Sequence, residues 1–256
     1  MLLALVLAAF VAGLVDAIAG GGGLITLPAL LAAGLSPHAA LATNKFSSTM
    51  GTFVASARYY HAGTMSVRVG LISAAGALVG SAIGARIALL VPASTINSVM
   101  LVLVPSVLVF FLLKDRVFVL IARLKGGSPG QGTRNDTARA LSIGFFIGVY
   151  DGFFGPGTGT FLAIAFSAFL SMDLLQASAN ARLTNLASNV GSLVVFLWNG
   201  QVRFPLALYA AASGIAGNWL GSSLAIKKGE RVIKPLMTGV LILLMAEVVR
   251  RRYFGG

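Results

Sequence analysis

The sequence predicts an all-α integral membrane protein built from two homologous repeats. Of its 256 residues, 57% are hydrophobic and 10% are charged, and the mean hydropathy is +0.90. A soluble domain of this size needs far more polar surface. Apolar runs long enough to span a bilayer recur along the chain, for example at residues 69–91 and 96–113. Landmark residues of the first half also return in the second half at nearly constant spacing, which indicates a duplication.

The basic character of the chain fits a membrane protein better than a nucleic-acid-binding protein. The net charge is +12, but the basic residues cluster in 114–134 and 227–234. Such clustering is typical of cytoplasmic loops and of contact with anionic lipids. Residues 1–18 lack a basic region before the apolar run, so we interpret them as the first membrane segment and not as a cleaved signal peptide. We therefore expect membrane lipids, and no nucleic acid, as partners.

An aspartate followed by a glycine-rich element lies near the start of each half. Residues 16–26 read DAIAGGGGLIT, and residues 151–160 read DGFFGPGTGT. The aspartates align, and Gly20 and Gly22 align with Gly155 and Gly157. Interrupted apolar segments at matching positions of two halves are the best sequence indication of a transporter's substrate site.

The duplication continues beyond the glycine elements. The motif TNKFS at residues 43–47 returns as TNLAS at 184–188, and Gly80 corresponds to Gly217 at an offset of 137 residues. Biased glycine content alone would not reproduce the Thr-Asn-x-x-Ser pattern. The remaining repeated glycines lie in apolar helical segments, and we interpret them as contacts between packed membrane helices: Gly76, Gly80 and Gly84 in the first half, and Gly214, Gly217 and Gly221 in the second.

A polar, glycine-rich stretch separates the two halves. Residues 126–132 read GGSPGQG, a composition typical of a flexible aqueous loop. The predicted organisation is a membrane repeat at 1–113, an aqueous linker at 114–138 and a second membrane repeat at 139–256.

The short apolar segments that follow the glycines leave two topologies open. Segments 24–33 and 161–170 are about ten residues long, too short to cross a ~30 Å hydrocarbon core as helices. Each is either the return limb of a re-entrant hairpin, which gives three crossings per half and inverted repeats, or the second half of a broken helix, which gives four crossings and parallel repeats. Counting basic residues on each side gives a tie. We favour inverted repeats, each with a glycine-interrupted short-helix element plus three transmembrane helices, because they bring both glycine tips to one midplane site.

The two repeated aspartates, Asp16 and Asp151, are carboxylates inside apolar segments, where an unpaired charge is costly. They are candidates for proton coupling or, alternatively, for capping the backbone N–H groups of the glycine turns. Lys45 and Arg182 are the deepest cations, although Lys45 lies close enough to a segment start to extend toward the interface.

Glycines at the start of a short helix expose backbone N–H groups at the positive end of the helix dipole, which favours an anion. Hydroxyl, amide and cationic side chains nearby complete the predicted substrate site: Gly21, Gly22, Gly23, Thr26, Asn44, Lys45, Gly157, Thr158, Gly159, Thr160, Arg182 and Asn185. No His, Cys or carboxylate grouping has metal-site spacing, and no nucleophile–base pair is visible. We therefore predict no metal, no cofactor and no enzymatic activity.

These motifs resemble those of the TauE/SafE family of sulfite and organosulfonate exporters. The resemblance covers nearly the whole chain and is most specific at residues 16–28, 42–45 and 148–159. It implies a permease of the bacterial inner membrane with two homologous halves. The expected function is secondary transport of a small anion such as sulfite, an organosulfonate or a related organic acid, bound between the two glycine tips. The alternative is an anion channel that uses the same site.

Overall fold

The computed structural model describes residues 1–96, 99, 106 and 134–228, which form helices and short connections. The predicted segments 96–113 and 232–249 lie almost entirely outside the described residues, as does most of the predicted linker. Eight helices are delimited within the described part: α1 Leu2–Ala19, α2 Gly23–Ala32, α3 Pro37–His61, α4 Val67–Leu90, α5 Arg134–Phe153, α6 Thr158–Leu170, α7 Leu174–Trp198 and α8 Phe204–Lys228. Helix α5 thus includes the last five residues of the predicted linker, 134–138.

The first glycine element reverses the chain between α1 and α2. Gly20 ends α1 in the left-handed conformation (φ 82°), and its N–H donates to the carbonyl of Asp16. A Cβ atom on Gly22 would lie 2.8 Å from the carbonyl oxygen of Ala12, ten residues earlier. Because a continuing helix would carry Gly22 about 15 Å beyond Ala12, α2 must begin back alongside α1.

The second glycine element forms the corresponding hairpin between α5 and α6. Gly155 and Gly157 both have positive φ, 97° and 84°, a conformation that glycine adopts at little cost. The guanidinium of Arg139, near the start of α5, donates to the carbonyl of Phe169, near the end of α6, at 3.5 Å. The two limbs are therefore antiparallel.

Glycine contacts join each half to the other through parallel helix pairs. A Cβ atom on Gly80 of α4 would lie 2.2 Å from the carbonyl oxygen of Phe145 on α5, and one on Gly84 would lie 2.1 Å from that of Val149. The residue numbers of the contacts increase in the same direction along both helices, so α4 and α5 run parallel. In α8, Gly217 and Gly221 meet the carbonyls of Phe10 and Leu14 of α1 in the same manner. The interpretation of these glycines as packing positions is confirmed.

Two further contacts set the direction of α3 relative to its neighbours. The hydroxyl of Thr43 accepts from the N–H of Arg203 at 3.2 Å. Farther along both helices, Gly51 packs against Asn218. Helix α3 is therefore parallel to α8. At its start, Nε2 of His38 lies 3.0 Å from the carbonyl oxygen of Val91, just after the end of α4, so α3 and α4 are antiparallel.

Helix α7 completes the arrangement. Gly70 of α4 packs against Asn180 of α7, and Gly191 of α7 packs against Leu78 of α4, so these helices are parallel. Helices α1, α3 and α8 thus run in one direction, and α4, α5 and α7 run in the opposite direction. Each set combines helices from both halves.

The helix surfaces match a protein that spans a bilayer. Within the described residues, α1 and α4 are both long and apolar enough to cross a membrane. On α4, large apolar side chains such as Leu71 and Val79 are more than half exposed. The polar residues of α3 and α7 instead face inward, where Thr43, Thr184 and Ser188 are fully buried.

Candidate functional site

The turns of the two glycine elements, the first tip at residues 20–22 and the second tip at residues 155–157, meet each other in the interior. A Cβ atom on Gly20 would lie 2.4 Å from the carbonyl carbon of Gly159, and one on Gly159 would lie 2.6 Å from the Cα of Gly20. The hydroxyl of Thr160 donates to the carbonyl of Ala19, which joins the tips directly. This close approach requires glycine on both sides. The two glycine elements of the predicted site are therefore brought together.

A buried ion pair lies at the second tip. The Nζ of Lys45 is 2.7 Å from Oδ2 of Asp151, and the two side chains are 1% and 2% exposed. The hydroxyls of Ser188 and Thr158 donate to the same carboxylate at 2.5 and 2.7 Å. Lys45 also donates to Oδ1 of Asn189 at 3.2 Å. Asp151 is thus surrounded by donors that balance its charge.

The first tip has a looser arrangement. Oδ1 of Asp16 accepts the N–H of Gly22 at 3.3 Å, so this aspartate does contact the glycine turn as a cap would. Nη1 of Arg182 lies 3.7 Å from the same oxygen. Asp16 is 13% exposed, whereas the Arg182 side chain is 1% exposed.

The ion pairs cross between the repeats. Lys45 of the first half pairs with Asp151 of the second, and Arg182 of the second half pairs with Asp16 of the first. Neither cation reaches an interface, so the alternative that Lys45 extends to the membrane surface does not hold. The sequence placed these four residues in one region but did not predict the pairing, because Lys45 and Arg182 are not at equivalent positions of the repeat.

Several polar atoms near the tips have no hydrogen-bond partner. Nε and Nη1 of Arg182 are buried without one, as are the Oδ1 atoms of Asn44 and Asn185. Arg182 also lies directly against the first turn of α6, since a Cβ atom on Gly159 would be 2.7 Å from its Nη2. Buried polar groups are nearly always hydrogen-bonded. These atoms are therefore the groups that a ligand has available to contact.

A cleft lies beside the first tip, between α1, α2, α3 and α8. Its cavity volume is about 20 Å³, and its polar lining is Asp16, Thr26, Ser47, Ser48 and Asn218. Thr26 donates to the carbonyl of Gly22 on its own helix, so it lies in the cleft wall and not between the tips.

Sequence reasoning missed Asn218, whose Oδ1 is buried without a partner, and it missed Ser188 and Asn189 as ion-pair contacts. Asn218 lies 137 residues after Ser81, so the repeat offset already marked a polar position in both glycine-rich helices. Ser188 lies in the repeated TNLAS motif. Among the residues that the structure describes, no group of three or more His, Cys, Asp or Glu side chains is placed to hold a metal ion.

Comparison with known proteins agrees with this architecture. The family model described as "Sulfite exporter TauE/SafE" matches residues 5–248. The chain is 34% identical over 241 residues to the "Probable membrane transporter protein YfcA" of Escherichia coli (strain K12), covering 94% of this chain and 87% of that protein.

It is 35% identical over 241 residues to the "Probable membrane transporter protein ORF9" of Sinorhizobium sp, covering 94% of this chain and 89% of the relative. It is 23% identical over 233 residues to the "Probable membrane transporter protein YdhB" of Bacillus subtilis (strain 168), covering 88% and 92%. No solved structure gives a significant match. The motifs, the apolar helices and these matches together show that the chain is an integral membrane protein of the sulfite exporter TauE/SafE family of transporters.

Proposed function

We propose that this protein is a secondary transporter of a small anion, bound near the membrane midplane between the two glycine tips. The observation that carries the proposal is the guanidinium of Arg182, whose Nε and Nη1 are buried without a hydrogen bond and whose Nη2 lies against the first turn of α6. A buried guanidinium with free N–H groups is matched by an oxyanion, which accepts two parallel hydrogen bonds from it.

The surrounding elements favour the same ligand. Helices α2 and α6 both begin at the tips, after Gly22 and Gly157, and the positive ends of their dipoles attract negative charge. From Asn44 on α3 and Asn185 on α7, we assign the amide N–H groups, and not the acceptor Oδ1 atoms, to the anion. Lys45 holds Asp151 at the second tip through their ion pair. Asp16 and Asp151 are the candidates for proton coupling.

The candidate substrate class comes from the family. The family is described as sulfite exporters, and we extend sulfite, organosulfonates and related organic acids to this chain as candidate substrates. The proposed location is the bacterial inner membrane.

We further propose that the halves are inverted repeats. The hairpin contacts of Arg139 and Gly22, and the division of the helices into two opposed sets, support this arrangement. In it, each tip approaches the site from its own side of the membrane. Rocking of one set of helices against the other would then expose the site alternately to the two sides.

A ligand screen on the purified protein tests the anion assignment. Sulfite, methanesulfonate, isethionate and acetate are compared with choline and glucose at equal ionic strength, and the melting temperature is measured. A ligand at 100 times its Kd stabilises the folded protein by about 2.7 kcal/mol. We expect at least one oxyanion to raise the melting temperature and the two controls to leave it unchanged. Stabilisation by choline or glucose alone would contradict the proposal.

A further inference from the structure

The two aspartates that the duplication makes equivalent have different surroundings. Asp151 has three charged or hydroxyl donors within 2.7 Å and is 2% exposed. Asp16 has one backbone donor at 3.3 Å and a guanidinium nitrogen at 3.7 Å, and it is 13% exposed. The carboxylate of the first tip is therefore the more weakly held of the two.

The cleft reaches this weakly held carboxylate. Asp16 is part of the lining, together with the hydroxyls of Ser47 and Ser48 and the side chain of Asn218, whereas Asp151 is not. Oδ1 of Asn218 is buried and has no hydrogen-bond partner. A polar cavity with several partners of this kind holds water. The cleft has room for about one water, and a water there is placed beside Asp16.

We propose that Asp16 is the carboxylate that binds a proton in the transport cycle. The ion pair of Asp151 with Lys45 stays intact throughout and joins the two repeats. A proton passes from water in the cleft to a carboxylate oxygen of Asp16, and the ion pair with Arg182 is lost. The N–H groups of Arg182 then donate to the oxyanion. The identity of the anion in this step rests on the proposed function. The assignment of the proton to Asp16 is independent of the proposed function.

Charge balance supports a stoichiometry of one proton per singly charged anion. Asp16, Asp151, Lys45 and Arg182 together carry no net charge. A proton on Asp16 leaves one positive charge in a buried site, and one monoanion neutralises it. Either ligand alone leaves a buried charge unpaired, which is costly. The proton and the anion should therefore bind together.

Three ionisable side chains act on Asp16, and each comes from a different helix. Arg182 on α7, Lys45 on α3 and Asp151 on α5 are the charged groups near it. The hydroxyl of Tyr59 on α3 donates to the carbonyl of Ala17. Helices α2 and α6 contain no ionisable residue, and the residues of α8 that line the cleft contain none.

Carbodiimide labelling of the intact protein tests the proton assignment without any substrate. Dicyclohexylcarbodiimide adds to a protonated carboxyl group and forms an N-acylurea, with the carboxyl proton retained on the urea nitrogen. Trypsin separates the two sites, because residues 1–45 contain Asp16 as their one acidic residue and residues 140–182 contain Asp151 and Asp173. Fragmentation in the mass spectrometer resolves Asp151 from the exposed Asp173.

We expect wild-type protein to take up label at Asp16, increasingly as the pH falls, and to leave Asp151 unlabelled. Asp16→Asn should abolish the label on residues 1–45, and Asp151→Asn should retain it. The wild-type peptide result stands even if a variant fails to fold. Label on Asp151 equal to that on Asp16, or no label on Asp16 at any pH at which the protein is folded, would overturn the assignment.

The affinity for methanesulfonate tests the coupling. Linkage of one proton to one anion makes binding about tenfold tighter for each pH unit lowered while Asp16 is ionised in the free protein. Asp16→Asn should bind methanesulfonate with an affinity independent of pH. A pH-dependent affinity in that variant equal to the wild type would refute the coupling. Labelling at Asp16 in a protein that no anion stabilises would refute the proposed function and leave the proton site intact.

Discussion

The ammonium of Lys45 lies 2.7 Å from the carboxylate of Asp151, and each residue belongs to a different repeat. Removing one member of a buried pair leaves the other charge uncompensated and costs about 3–5 kcal/mol. We expect Lys45→Met to lower the free energy of unfolding by this amount, measured by denaturant unfolding in detergent.

The matched control for Lys45→Met is the double variant Lys45→Met with Asp151→Asn, which removes both charges. It should recover most of the lost stability, because exchanging both partners of a buried pair for neutral groups is often close to neutral. A single variant as stable as the wild type would show that the pair does not hold the repeats together.

Two glycines of α8, three positions apart, give a test of the helix packing. A Cβ atom on Gly217 would lie 2.1 Å from the carbonyl oxygen of Phe10, whereas one on Gly214 would have its nearest neighbour at 3.8 Å. Gly217→Ala should lower the free energy of unfolding by about 1–3 kcal/mol through overpacking. Gly214→Ala should be neutral or stabilise by up to about 1 kcal/mol, because alanine favours the helix. Equal effects of the two changes would contradict the packing of α1 against α8.

The guanidinium of Arg182 should be required for anion recognition beyond its charge. Arg182→Lys keeps the charge but loses the planar donor pair. We expect it to weaken oxyanion binding at least tenfold, or about 1.4 kcal/mol, measured by titration of the melting temperature. Arg139→Lys is the control, because Arg139 is more than half exposed and its contacts to Asp136 and Phe169 are at 3.5 Å. Unchanged affinity in Arg182→Lys would rule out a direct contact.

The inverted arrangement makes a prediction about the chain ends. Three crossings in each half place both termini on the outer side and the linker that follows residue 113 on the cytoplasmic side. Alkaline phosphatase fused to the C-terminus should therefore be active, and green fluorescent protein at the same position should not fluoresce. A fluorescent, cytoplasmic C-terminus would instead require parallel repeats.

The sequence predicted the described helices and the contact between the two glycine elements, because both correspond to sequence patterns that recur along the chain. Spacing of this kind can be read directly from the sequence, as it is for Gly20 with Gly155 and for the two Thr-Asn motifs. The choice between hairpin and broken helix could not be predicted. It depends on whether α2 turns back at Gly22, and counting basic residues gave equal scores for both.

The ion pairs also could not be predicted from the repeat. Lys45 has Leu186 as its repeat counterpart, and Arg182 has Leu41, so the duplication gives no partner for either cation. The pairing follows from the three-dimensional crossing of α3 and α7 past the opposite tips. Asn218 was overlooked for a related reason, since it lies in a glycine-rich helix that packing alone explained.

Counterflow in proteoliposomes tests the transport claim most directly. Vesicles containing the purified protein are loaded with unlabelled sulfite, and uptake of external radiolabelled sulfite is followed, with methanesulfonate and acetate as competitors. A secondary transporter predicts saturable uptake that internal sulfite accelerates and that Arg182→Lys reduces at least tenfold. Flux that rises linearly with the external sulfite concentration and does not depend on internal sulfite would indicate a channel. No uptake beyond that of protein-free vesicles, with sulfite or with either competitor as the labelled species, would contradict the assignment of a small-anion transporter.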